Sequence, residues 1–193
     1  MTNQETLILG VGNTLLTDEG SGIHALSLFQ SEYPDMPHLT CVDGGTLSFT
    51  LASWIEDCDN LIVFDAAELQ QPAGTVCTLV GEDMDRFLGA AKRSAHEVGL
   101  LDLFDIARLT YSLPLNRALI GIQPREFGWG TQPGEAVQRA LPLAVNAARR
   151  LIECWRSTDA SSETLPSDDN KPDNPDLDSP PASPAQADAE ILQ

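Results

Sequence analysis

The fold class can be read from Thr6-Leu7-Ile8-Leu9-Gly10-Val11-Gly12-Asn13-Thr14-Leu15-Leu16-Thr17-Asp18-Glu19-Gly20-Ser21-Gly22. Thr6–Val11 is a short apolar run containing Gly10, the pattern of a strand buried on both faces. A polar, glycine-rich turn follows. Ile23, Leu26, Phe29 and Tyr33 then recur at helical spacing up to Pro34.

The strand, turn and helix order repeats downstream. Leu39–Val42 reads as a second strand, closed by Asp43-Gly44-Gly45. Residues 47–58 read as a helix with Leu47, Leu51, Trp54 and Ile55 on one side. Asn60–Phe64 is a third apolar strand that ends at Asp65, and Thr75–Val80 is a fourth. Residues 99–109 form a helix and Ala118–Ile122 a fifth strand. Val137, Leu141, Ala144, Ala148, Leu151 and Trp155 mark a last helix, kinked or started at Pro142. Short all-apolar strands alternating with helices imply an α/β three-layer sandwich: a twisted, mostly parallel five-stranded sheet flanked by helices.

Composition narrows the function classes. The chain has 193 residues, of which 42% are hydrophobic, enough for one globular core. With 29 acids against 11 bases, the formal net charge is -18. Such a surface repels nucleic acid and anionic membranes, so neither is expected as a partner. No apolar run approaches the roughly 18 residues of a membrane span. Met1–Thr6 is polar and runs straight into the first strand, so no secretory signal is read and a cytoplasmic location is expected. Cys41, Cys58, Cys77 and Cys154 show no metal-binding spacing and are expected as reduced, mostly buried thiols.

The composition changes after Trp155. Residues 157–193 hold 6 of the 13 prolines and 9 of the 29 acids, with Lys171 as the one base, and leave -10 on residues 1–156. The reading is therefore a domain at 1–156 and a disordered acidic, proline-rich tail at 157–193, because the tail has too few aliphatic side chains to offset its ordering entropy.

In open parallel sheets the chemistry collects at the carboxyl ends of the strands, where the winding reverses. Gly10-Val11-Gly12 opens like a dinucleotide fingerprint, but Leu15 stands where its third glycine belongs. Asp18 or Thr17 can cap the next helix, with Glu19 in its first turn. Asp65 ends the third strand. Ser94 and Glu97 fit a capping box that sets His96 in a first helical turn, where the dipole favours neutral imidazole. His24 reads as a helix-surface residue and His38 as a loop residue. Glu19, Asp65 and His96 make an O, O, N set suited to nickel, zinc or manganese with positions left open. Asp43 is an outer acceptor or a fourth acid. No Gly-x-Ser-x-Gly elbow or Walker loop occurs, and Cys41 lacks a clear histidine partner.

Four motifs stand in register: Gly10-Val11-Gly12-Asn13 through Asp18-Glu19-Gly20-Ser21-Gly22, Asp43-Gly44-Gly45-Thr46, Phe64-Asp65-Ala66, and Ser94-Ala95-His96-Glu97-Val98-Gly99. In order and spacing they resemble the [NiFe]-hydrogenase maturation endopeptidases, from about Thr6 to Trp155. The resemblance implies a peptidase, aspartic-type or metal-dependent. It would cut the C-terminal extension from a hydrogenase large-subunit precursor after nickel insertion. It implies that Glu19, Asp65 and His96 engage the nickel of the precursor, that the fold is a twisted five-stranded sheet between helices, and that the protein is a monomer. In one version the metal polarises the scissile carbonyl or activates water; in another it only docks the substrate, and Asp43 or a nearby acid handles protons. A non-catalytic nickel-binding maturation chaperone is the alternative reading. The acidic tail lies outside the resemblance.

Overall fold

The computed structural model describes residues 4–90 and 99–162, with side chains through Ser157. Its elements are β1 (Thr6–Gly10), α1 (Ser21–Glu32), β2 (Leu39–Asp43), α2 (Ala52–Glu56), β3 (Asn60–Ala66), β4 (Val76–Val80), α3 (Glu82–Ala90), α4 (Leu100–Leu109), β5 (Asn116–Ile122) and α5 (Glu135–Ser162). The sheet order is β2-β1-β3-β5-β4. All pairs are parallel except β4 with β5, which is antiparallel at one edge.

Side-chain alternation divides the core into two layers. Ile8, Ile62, Phe64 and Ile120 face α1 and α5, where they meet Phe29, Ala144 and Ile152. Leu7, Leu9, Leu61 and Val63 face the other way, onto Ile55, Met84, Leu103 and Phe104. The central strands are therefore apolar on both faces, whereas the edge strands β2 and β4 keep exposed positions. This is the three-layer sandwich read from the sequence.

Several elements depart from that reading. The expected helix over 47–58 is a 3-10 turn (Phe49–Leu51) followed by the short α2, and Trp54 is exposed while Leu51 and Ile55 are buried. Leu47 takes a φ of 66°, which no helix accepts. Helix α3 was not foreseen, because its polar residues mask a narrow stripe of Met84, Phe87 and Leu88. It is held to β5 by Arg117, whose Nε and Nη2 donate to the two carboxylate oxygens of Asp85 at 3.0 and 2.6 Å. Helix α5 begins at Glu135, well before Pro142, which sits on its exposed side. Its helical backbone runs past the 156/157 boundary read from composition, to Ser162. The rest of the tail lies outside the described residues.

Candidate functional site

The chain winds from β1 outward to β2, then crosses back to β3 on the other side of β1. The reversal opens a crevice between the carboxyl ends of β1 and β3, where ligands gather in open α/β sheets. Two of the expected residues meet there. Asp65 lies near the end of β3, and Glu19 lies in a 3-10 turn, Thr17–Gly20, that links β1 to α1.

Close packing brings the turn over the sheet. A Cβ on Gly22 would stand 2.2 Å from the Val11 carbonyl oxygen and 2.3 Å from that of Phe64. At Gly12, with φ +134°, a Cβ would meet the Glu19 carbonyl oxygen at 1.9 Å. The glycines thus let α1 and the Glu19 turn sit against the strand ends; they do not form a phosphate cradle.

The electrostatic consequence falls on Asp65. Burial pushes its pKa up to about 7, the Ala66 amide opposes the rise, and the negative charge of Glu19 adds to it. A buried carboxylate beside a second acid suits a cation, which would relieve the repulsion on Asp65 and its lost hydration.

Asp43 ends β2, in register with Gly10 of β1. Its Oδ1 accepts from the Gly45 amide at 2.9 Å, forming an Asx turn. His96 and the Ser94–Glu97 capping box lie outside the described residues. The N-cap of α4 is Gly99, whose amide donates to Asp102 Oδ2 at 2.8 Å. Among the described residues no cluster of three or more His, Cys, Asp or Glu side chains is poised around one point.

Asp18 does something the sequence reading missed. It was expected to cap a helix, yet no side chain caps α1. Asp18 is 1% exposed and reaches across to the β5–α5 loop. Its Oδ2 accepts from the amides of Arg125 (2.8 Å) and Glu126 (3.4 Å), and its Oδ1 from that of Gly134 (2.6 Å). Gln123, also unforeseen, is buried at the end of β5 and accepts from the amides of Leu69 and Gln71 at 2.7 and 3.3 Å. It holds the loop that follows Asp65. A polar residue ending an apolar strand was the available signal for Gln123.

His24 is not the surface residue expected. It is half-buried: burial lowers its pKa, the Thr131 backbone opposes the fall, and its buried Nε2 has no hydrogen-bond partner among the described residues. His38 is in a loop, 3.1 Å from Glu5. No disulfide joins the four cysteines; Cys154 is exposed and the others half-buried, so "mostly buried" does not hold. Burial pushes the Cys41 and Cys58 thiols up to about 11 and 12, which leaves little thiolate at neutral pH for nucleophilic attack.

A mostly parallel α/β sandwich with two acids at its switch point defines the class: an α/β protein with an acidic crevice at the carboxyl ends of its strands. The sequence profile described as "Hydrogenase maturation protease" matches residues 23–151. The chain belongs to this family. It is 33% identical to the hydrogenase expression/formation protein HupD of Rhizobium leguminosarum bv. viciae over 150 residues, covering 77% of this chain and 74% of that one. It is 34% identical to the hydrogenase 2 maturation protease of Escherichia coli over 122 residues, covering 63% and 74%. Among solved structures it resembles the hydrogenase maturating endopeptidase HybD from E. coli, with a TM-score of 0.71, 28% identity, and 78% and 93% of the two chains covered. For the [NiFe] hydrogenase maturation protease HybD from Thermococcus kodakarensis the values are 0.64, 27%, 76% and 98%.

Proposed function

We propose that this chain is an endopeptidase that removes the C-terminal extension of a [NiFe]-hydrogenase large-subunit precursor once nickel has been inserted. The observation that carries the reading is the meeting of Glu19 and Asp65 at the β1/β3 switch point, in a member of this protease family. Nickel belongs to the substrate. Glu19 and Asp65 supply oxygen ligands and His96 an imidazole, so the precursor's metal becomes the recognition element. A precursor without nickel offers these residues nothing to chelate. Asp43, beside the crevice on β2, is the candidate to move a proton during hydrolysis. The reaction belongs in the cytoplasm, where precursor and protease would meet before the large subunit closes.

The test replaces His96 with Ala and Glu19 with Gln, one at a time. Each variant is incubated with nickel-loaded precursor and the released peptide is quantified. Each is expected to lose processing while keeping the wild-type circular dichroism spectrum. Full processing by His96→Ala removes it from the ligand set. Complex formation without cleavage by the wild-type protein favours the chaperone reading instead.

A further inference from the structure

Exposed aromatic rings usually sit on loops that yield. In the β5–α5 loop Phe127 is 61% and Trp129 88% exposed, yet the backbone beneath them is held along its length. Asp18 takes the amides of Arg125, Glu126 and Gly134. Thr17 Oγ1 accepts from the Gly128 amide at 3.0 Å and donates to the Glu126 carbonyl at 3.3 Å. The Thr17 amide donates to the Gly130 carbonyl (2.8 Å), and the Gly130 amide to the Leu15 carbonyl (3.0 Å). Leu16 and Gly130 form a short parallel bridge. Leu15, 55% exposed, lies on the strand of chain stitched to Trp129's neighbour.

Three large apolar side chains are thus displayed on two loops fixed to each other. Such a surface loses little freedom when it is covered, which is what a binding anchor requires. The platform is continuous with the crevice, because Thr17 and Asp18 immediately precede Glu19. Its electrostatic rim is acidic: Asp43, Glu68 and Glu126 are exposed on the loops at this edge, with Arg125 as the cation among the described residues of those loops, while Glu135 at the start of α5 is paired with Arg139. A partner that fits carries apolar anchors flanked by basic groups.

We propose that Leu15, Phe127 and Trp129 form a prefixed apolar platform. It seats the C-terminal segment of the precursor, with apolar side chains against the rings and basic ones toward the acidic rim. This rests on the reading under Proposed function. The platform touches no reacting atom, so it sets affinity and leaves the chemical step alone.

The test is a double variant, Phe127→Ala with Trp129→Ala. Both side chains are exposed, and an unchanged melting temperature checks that the fold survives. KM and kcat are measured with nickel-loaded large-subunit precursor, and Kd by calorimetry with the same precursor. The expected result is KM and Kd raised about tenfold or more with kcat within about threefold, and wild-type binding that weakens as salt rises. Unchanged KM and Kd overturn the platform. A kcat loss with unchanged KM overturns it too, by moving these residues into the chemistry. If the wild-type protein binds precursor but releases no peptide, the endopeptidase reading fails by itself, and the Kd comparison still decides the platform. If it neither binds nor cleaves, both fall. Sedimentation velocity completes the test: a wild-type dimer that the double variant breaks, with KM unchanged, assigns the surface to a second copy of this chain.

Discussion

Replacing Asp18 with Ala should be the most damaging change of a single acid near the crevice. The carboxylate is 1% exposed and accepts three backbone amides at 2.6, 2.8 and 3.4 Å. The two short bonds are charge-assisted and contribute about 1.5–3 kcal/mol each; the long one adds little. The donors belong to exposed residues, so water can reach some of the freed amides and lowers the loss. About 2–4 kcal/mol remains, or a fall in melting temperature of roughly 5–15 °C for a domain of this size. Thermal denaturation followed by circular dichroism at neutral pH measures it. Asp18→Asn keeps one acceptor and should fall between Ala and wild type. Processing should weaken in parallel, because the loop that carries Phe127 and Trp129 is no longer held. An Asp18→Ala protein that melts with the wild type would refute the clamp and the loop-fixing argument built on it.

The remaining predictions concern Asp65 and Gly22. A carboxyl that titrates at about 7 in the fold and at 3.8 when unfolded opposes folding once ionised. Stability is therefore unaffected below pH 3.8, falls as pH rises to about 7, and stays lower above it. The whole span is worth about 4 kcal/mol, reduced to about 1–3 kcal/mol because Asp65 is only partly buried. Asp65→Asn should thus be more stable than wild type at about pH 8, converge with it below the unfolded pKa, and process no precursor; urea melts at several pH values check the crossing. Gly22→Ala places a methyl 2.2–2.3 Å from two backbone oxygens, and should fail to fold or lose more than about 3 kcal/mol, read from yield and circular dichroism.

The sheet was legible because its central strands are apolar on both faces: Leu7-Ile8-Leu9 and Leu61-Ile62-Val63-Phe64 admit no other simple reading. The carboxyl-end rule then picked out Glu19 and Asp65, which the fold brings to one crevice. What stayed hidden depends on contacts distant in sequence. Asp18 has the composition of a helix cap, and its partners lie 107 to 116 residues away. His24 reads as a surface residue, yet the fold half-buries it and encloses its Nε2. Helix α3 was obscured by three acids in its first turn, where they favour the helix even as they dilute its apolar stripe. The 47–58 segment misled in the opposite sense, because its apolar spacing continued through Leu47, whose backbone is left-handed.

The central claim is that this chain cuts a hydrogenase large-subunit precursor and uses the precursor's nickel as its licence to do so. Intact mass spectrometry of that precursor, before and after incubation with the protein, tests it most directly. Nickel-loaded and nickel-free precursor are run side by side. The account predicts loss of a C-terminal peptide from the loaded form and an unchanged mass for the nickel-free form. Equal cleavage of both contradicts the metal checkpoint, and an unchanged mass for both contradicts the peptidase itself.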